Sequence, residues 1–136
     1  MARQIFLNIA VKDLDQSVAF FTKLGFTFNP DFTNEKATCM IISENIFVML
    51  LVEEFFQTFT KKEIVDSTKS TEAIIAISAD SKAEVDTMIR TAISAGGKPS
   101  NPTVDHGFMY ISSFQDIDGH LWEVCYLDPD APENKG

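Results

Sequence analysis

The chain has 136 residues, 45% of them hydrophobic, which is enough apolar side chain for one ordinary domain with a real core. With 20 acidic against 11 basic side chains the formal net charge is -9, and Lys61-Lys62 is the largest basic cluster, so a nucleic-acid backbone is excluded as a natural partner. The sequence shows no run of about 18 apolar residues and no charged-then-apolar leader, so a soluble, cytoplasmic protein is expected, with no membrane partner.

Ile5 to Val11 alternates as a strand, and Asp13 with Gln16 then has the spacing of a capping box, in which the first side chain takes a backbone N–H at a helix start. Val18, Phe21 and Leu24 form the apolar stripe of that helix, and Gly25 ends it where a left-handed conformation is cheap. Extended runs follow at Phe26 to Phe28, Ala37 to Ile42 and Ile46 to Val52, with Ser43-Glu44-Asn45 as a turn. Phe55, Phe56 and Phe59 suit a short amphipathic helix ahead of a polar, Lys- and Thr-rich linker. That helix is either a lid or a connector whose rings cap the core.

The pattern then starts again, displaced by about half the chain. Ala73 to Ile77 is the strand, Ser81 with Glu84 the capping box, Val85, Met88, Ile89 and Ala92 the stripe, and Gly96-Gly97 the stop. Extended runs are read around Lys98, from Phe108 to Phe114 and from His120 to Leu127, with the turn at residues 115–119. The fold class is therefore α+β: tandem βαβββ modules forming a curved, cupped mixed sheet with helices on its convex face. Module one covers about residues 4–52, the linker about 53–71, module two about 72–127, and a loose acidic tail 128–136.

Alternation sorts each strand into two faces. Ile5, Leu7, Ile9 and Val11 form an aliphatic face that must meet a helix, leaving Phe6, Asn8 and Ala10 on the other. In the last strand Trp122, Val124 and Tyr126 oppose Leu121, Glu123 and Cys125, and Trp122 and Val124 are expected to pack on a helix. A carboxylate in so apolar a strand is costly unless paired or used, which marks Glu123 as the leading functional candidate; an edge-exposed or hydrogen-bonded structural Glu is the plainer alternative. Asn8 either offers its amide to a ligand or ties up a neighbouring backbone group. Cys39 and Cys125 lie in apolar runs and are read as reduced, buried and structural. The 12 Phe serve as core filler or as walls for a ligand.

The tandem modules, the opening Val11-Lys12-Asp13-Leu14 with Ser17, Phe20, Phe21 and Leu24-Gly25-Phe26, and the closing Asp116-x-Asp118-Gly119-His120-x-Trp122-Glu123 resemble the vicinal oxygen chelate superfamily. Its members include glyoxalases, extradiol dioxygenases and bleomycin resistance proteins, and the likeness spans nearly the whole chain. In metal-dependent members each module gives one ligand from its first strand and one from a late strand. By the resemblance those positions fall on Phe6, Ile74, Met49 (within one residue) and Glu123. Only Glu123 matches, so no cofactor is expected, with a divalent metal as the alternative and His106, Cys39 and Glu123 as a rescue set.

Two readings of function follow. In the first the chain is a metal-free small-molecule-binding protein, in which Phe6, Asn8, Met49, Ile74 and Glu123 line an apolar cavity for an apolar or aromatic ligand with a donor or cation to meet Glu123. In the second it is a lyase, isomerase or dioxygenase relative with Glu123 as catalytic general base or sole retained metal ligand. Glutathione-dependent glyoxalase chemistry is disfavoured, since neither a metal set nor a basic patch for the glutathione carboxylates is visible. The resemblance and the Phe content also imply a homodimer.

Overall fold

A strand that is aliphatic on one face only must cover that face, and both halves of this chain cover it with a helix. The computed structural model describes residues 2–130, in two units, Met1–Val65 and Asp66–Gly136. Each unit is a mixed sheet with one long helix against it, which is the expected α+β class realised as two sheets.

In the first unit β1 (Ile5–Val11) leads into α1 (Leu14–Lys23). Asp13 Oδ1 accepts the Gln16 backbone N–H at 3.1 Å, and the Gln16 side-chain amide donates to Asp13 Oδ2 at 3.2 Å. The chain then runs through β2 (Thr27–Asn29), a single 3₁₀ turn at Pro30–Phe32 that the periodicity does not signal, β3 (Ala37–Ser43) and β4 (Ile46–Val52). The sheet order is β1-β4-β3-β2, with β1 parallel to β4 and the other pairs antiparallel. Register aligns Leu7 with Val48 and Met40, and Ile9 with Leu50 and Thr38. This is the helix side: α1 packs on β4, and Leu14, Ser17, Phe20 and Phe21 are buried with Val48, Leu50 and Met40. The aliphatic face of β1 is covered only in part, because Ile9 and Val11 are buried while Ile5, at the start of the strand, stays 57% exposed. The aromatic segment after β4 forms α2 (Glu53–Phe56) and a 3₁₀ turn at Gln57–Phe59; α2 packs against β1 and β4.

In the second unit β5 (Ile74–Ser78) precedes α3 (Lys82–Ser94). Ser81 Oγ accepts the Glu84 N–H at 3.0 Å, and Glu84 Oε2 reaches back to the Asp80 N–H at 2.8 Å. β6 (Lys98–Pro99), β7 (Val104–Asp105), β8 (Met109–Gln115) and β9 (Leu121–Leu127) follow. β7 is absent from the sequence reading, which has a single short run here. The order is β5-β9-β8-β6, with β7 also on β8 and β5 parallel to β9. Tyr110 identifies the helix side: its hydroxyl donates to Asp86 of α3 at 2.7 Å, and it shares a face with Ser112 and Phe114, whose register partners are Val124 and Trp122. Trp122, Val124 and Phe114 are fully buried there beside Val85 and Ala92 of α3, as the alternation of β9 requires. β9 ends at Leu127. The expected tail lies outside the described residues from position 131 onward.

The closing motif is, in its first part, a turn held by one buried carboxylate. Asp116 Oδ1 accepts the backbone N–H groups of Asp118 and His120, both at 3.0 Å, and Oδ2 accepts Trp122 Nε1–H at 3.0 Å. Burial pushes the Asp116 carboxyl above the usual carboxylate range, while the His120 charge and those three donors pull it down. Gly119 has φ 93° and lies against the linker, where an added Cβ would stand 2.6 Å from the Ser67 carbonyl oxygen. Beside it, Ser67 Oγ and His120 Nδ1 are 3.1 Å apart.

Two stability experiments follow from this turn. Gly25→Ala, at a positive φ of 101° in open space, should cost about 1–2 kcal/mol in urea unfolding. Gly119→Ala should cost more, and equal losses would mean that the Ser67 contact carries no weight. Asp116→Asn puts an amide where Trp122 needs an acceptor, and should cost about 1–3 kcal/mol. The folded carboxyl holds its proton more readily than the unfolded one, whose ordinary value is 3.8. The native chain should therefore gain stability over Asp116→Asn as pH falls from neutral through the raised value toward 3.8, and lose that gain as pH rises. A pH-independent difference between the two would contradict the direction of the shift.

Candidate functional site

Because a helix occupies one side of each sheet, the candidate side chains can act only from the other. In the first unit that open face carries two rows set by the β1–β4 and β3–β4 registers. Phe6, Phe47 and Ile41 form one, and Asn8, Met49 and Cys39 the other. The Phe6 and Phe47 rings stack with centroids 5.0 Å apart and planes 15° from parallel, and Phe6 is 51% exposed. Phe47 is missing from the sequence-derived set. Its parity with Met49 is readable, but its place beside Phe6 depends on the parallel register of two strands separated by α1, β2 and β3.

Asn8 takes the plainer of its two readings, since its amide donates to the Phe6 carbonyl oxygen at 3.3 Å within its own strand. Met49 is half-buried, between Asn8 and Cys39 in register. At the far end of the same face Ala10, Leu51, Ala37 and Cys39 are buried. Burial pushes the Cys39 thiol up, away from the thiolate that a nucleophile or metal ligand needs.

In the second unit the open face carries Ile74 on β5, then Leu121, Glu123 and Cys125 on β9. Glu123 lies between Ala76 and Ser113 in register. β9 is flanked on both sides by β5 and β8, so Glu123 is not the edge-strand carboxylate of the plainer alternative. Its side chain is half-buried, and Ile74 is 54% exposed. The neighbouring Ser113 hydroxyl is already engaged: it accepts the Asn101 N–H at 2.9 Å and donates to the Asn101 carbonyl at 3.2 Å. Cys125 is half-buried rather than buried, which corrects the sequence reading. Its outward parity, shared with Glu123, explains why. Burial first, and then the Glu123 charge, push its thiol up.

The histidines stand apart from this face. His106 is exposed, with its ring 6.0 Å from that of Phe108, and His120 belongs to the Asp116 turn. Among the described residues no three His, Cys, Asp or Glu side chains converge as a metal set. The donor chemistry at the resemblance-derived positions does not fit a divalent ion either. A phenyl, an alkyl group and a thioether supply at most one soft donor beside a single carboxylate, where three or four convergent ligands are needed.

Residues 3–43 match the family model described as bleomycin resistance protein-like N-terminal. No curated protein matches the sequence. Among solved structures, a hypothetical protein of S. aureus shares 25% identity at a TM-score of 0.79, over 93% of this chain and 94% of that one. A glyoxalase/bleomycin resistance protein/dioxygenase family enzyme of Burkholderia phytofirmans PsJN shares 16% at 0.77, over 93% and 99%. The genomically encoded fosfomycin resistance protein FosX of Listeria monocytogenes shares 18% at 0.68, over 100% and 99%. The family model thus matches the first strand, helix and hairpin start, and the chain shares along its whole length the fold of these glyoxalase/bleomycin resistance protein structures.

Proposed function

We propose that the chain is a small-molecule-binding protein that works without the metal of its metal-dependent relatives. One observation carries this reading: the first-strand ligand position is held by Phe6, whose half-exposed ring is stacked on Phe47 and offers an apolar surface in place of a donor. Phe6, Asn8 and Met49 are the candidates of the first unit, Ile74 and Glu123 those of the second. Large apolar side chains left exposed on a sheet face mark a place where something else is buried. Cysteine chemistry has no support, since both thiols are pushed up.

A second reading keeps an enzyme, and rests on Glu123 standing half-buried on an inner strand, on the same face as Ile74, Leu121 and Cys125. There it acts as a general base, contributing on the order of 10²- to 10⁴-fold. The likeness to a family enzyme and to a resistance protein supports the superfamily setting of both readings and favours neither.

Dialysis against Zn²⁺, Ni²⁺, Fe²⁺ or Mn²⁺, followed by elemental analysis and thermal shift, should give no stoichiometric uptake. Mass spectrometry of the purified protein should find a co-purifying organic ligand. Near-stoichiometric metal that disappears in Glu123→Gln would overturn the metal-free reading and put the enzyme first. The same reading takes the chain to be a homodimer, which would cover exposed residues such as Ile5 and Ile46. Light scattering at micromolar concentration should give about twice 15.2 kDa, and a mass near 15.2 kDa would refute it.

A further inference from the structure

We infer that the ligand stacks on the outward face of Phe6 as the third member of a ring column, and that it is a planar aromatic or heteroaromatic molecule without net negative charge. The inference rests on the small-molecule reading above and gives it a ligand class. β1 and β4 are neighbours in a parallel ladder, so Phe6 and Phe47 stand side by side, with their stack running across the strands. On its inner side Phe47 meets the row position of Ile41 on β3. On the outer side the row stops at Phe6, because β1 is the end strand of this sheet. The column thus ends at Phe6, which is 51% exposed.

A flat ring laid there continues the stack at the centroid spacing of about 4.5–7 Å that aromatic pairs prefer. The face of a phenyl ring is the negative part of its quadrupole, so it attracts a neutral or cationic π-system and repels an anionic one. The chain's net charge of -9 acts in the same direction at longer range. Charge and shape together select a planar cation or neutral heterocycle over an organic anion of the same size.

The test is a fluorescence titration of the full chain with proflavine, a planar cation, and with 8-anilinonaphthalene-1-sulfonate, an anion of comparable ring area. Proflavine should bind with the tighter affinity, unchanged by EDTA. Phe6→Leu and Phe47→Leu should each weaken it about threefold to tenfold, with Phe6→Tyr retaining it. Circular dichroism of each variant separates lost binding from lost fold, and Phe6→Tyr keeps the test decisive if the Leu variant unfolds. Proflavine affinity undiminished in a folded Phe6→Leu, preference for the anion, or no binding of either dye would overturn the stacking. Binding lost in Glu123→Gln but not in Phe6→Leu would overturn it while leaving the small-molecule reading in place. Binding of either dye that requires added metal would overturn both.

Discussion

Everything functional in this protein depends on the two-residue repeat of the β-strand. A sheet of four or five strands has two faces, and an aliphatic one must be covered or its burial free energy is lost, about 25 cal/mol for each Å². Here one long helix per unit performs that covering, α1 over Val48, Leu50 and Met40, and α3 over Phe114, Trp122 and Val124. Whatever chemistry the protein has is therefore confined to the opposite faces. Shifting β9 by one residue would bury Glu123 beneath α3 and lift Trp122 out, so the Asp116 turn that fixes the start of β9 also fixes which side its carboxylate occupies.

Asp116 shows how a motif that resembles a family signature divides its labour. Its carboxylate sits in a place where charge is disfavoured, yet satisfies two backbone donors and the only indole of the chain. Gly119 admits the linker near Ser67, and His120 meets the Ser67 hydroxyl. Five residues of the signature, Asp116, Asp118, Gly119, His120 and Trp122, are thus accounted for by architecture. Only Glu123 is left over, which is why the motif is specific for fold and uninformative about reaction.

Much of this was legible from residues alone. Asp13 and Ser81 cap the helices they were assigned, Gly25 and Gly96 stop them with positive φ, and the parity of Trp122 against Glu123 holds. These are local properties, decided by side chains within a turn or two. The missing parts are long-range. β7 is two residues long, too short to show a period, and exists because β8 offers it an edge. The stacking of Phe47 on Phe6 follows from a parallel register across a helix and two strands, and no periodicity reports that register. Ile5 has the same parity as the buried Val11, yet it stays 57% exposed, and a binary pattern says nothing of where a cover stops.

The cysteines, which have no part in either functional reading, acquire a use from where they fall. Each unit holds one, Cys39 on β3 and Cys125 on β9, both unpaired and both with thiols that burial makes sluggish toward electrophiles. A thiol reagent can modify the buried Cys39 quickly only when its strand opens, whereas the half-buried Cys125 is within reach in the folded state. Timed alkylation followed by peptide mapping would therefore read the opening of the first unit at Cys39 against Cys125 as an internal reference for reagent access, without any engineered label. It would tell how often the first half of the repeat opens while the chain stays native.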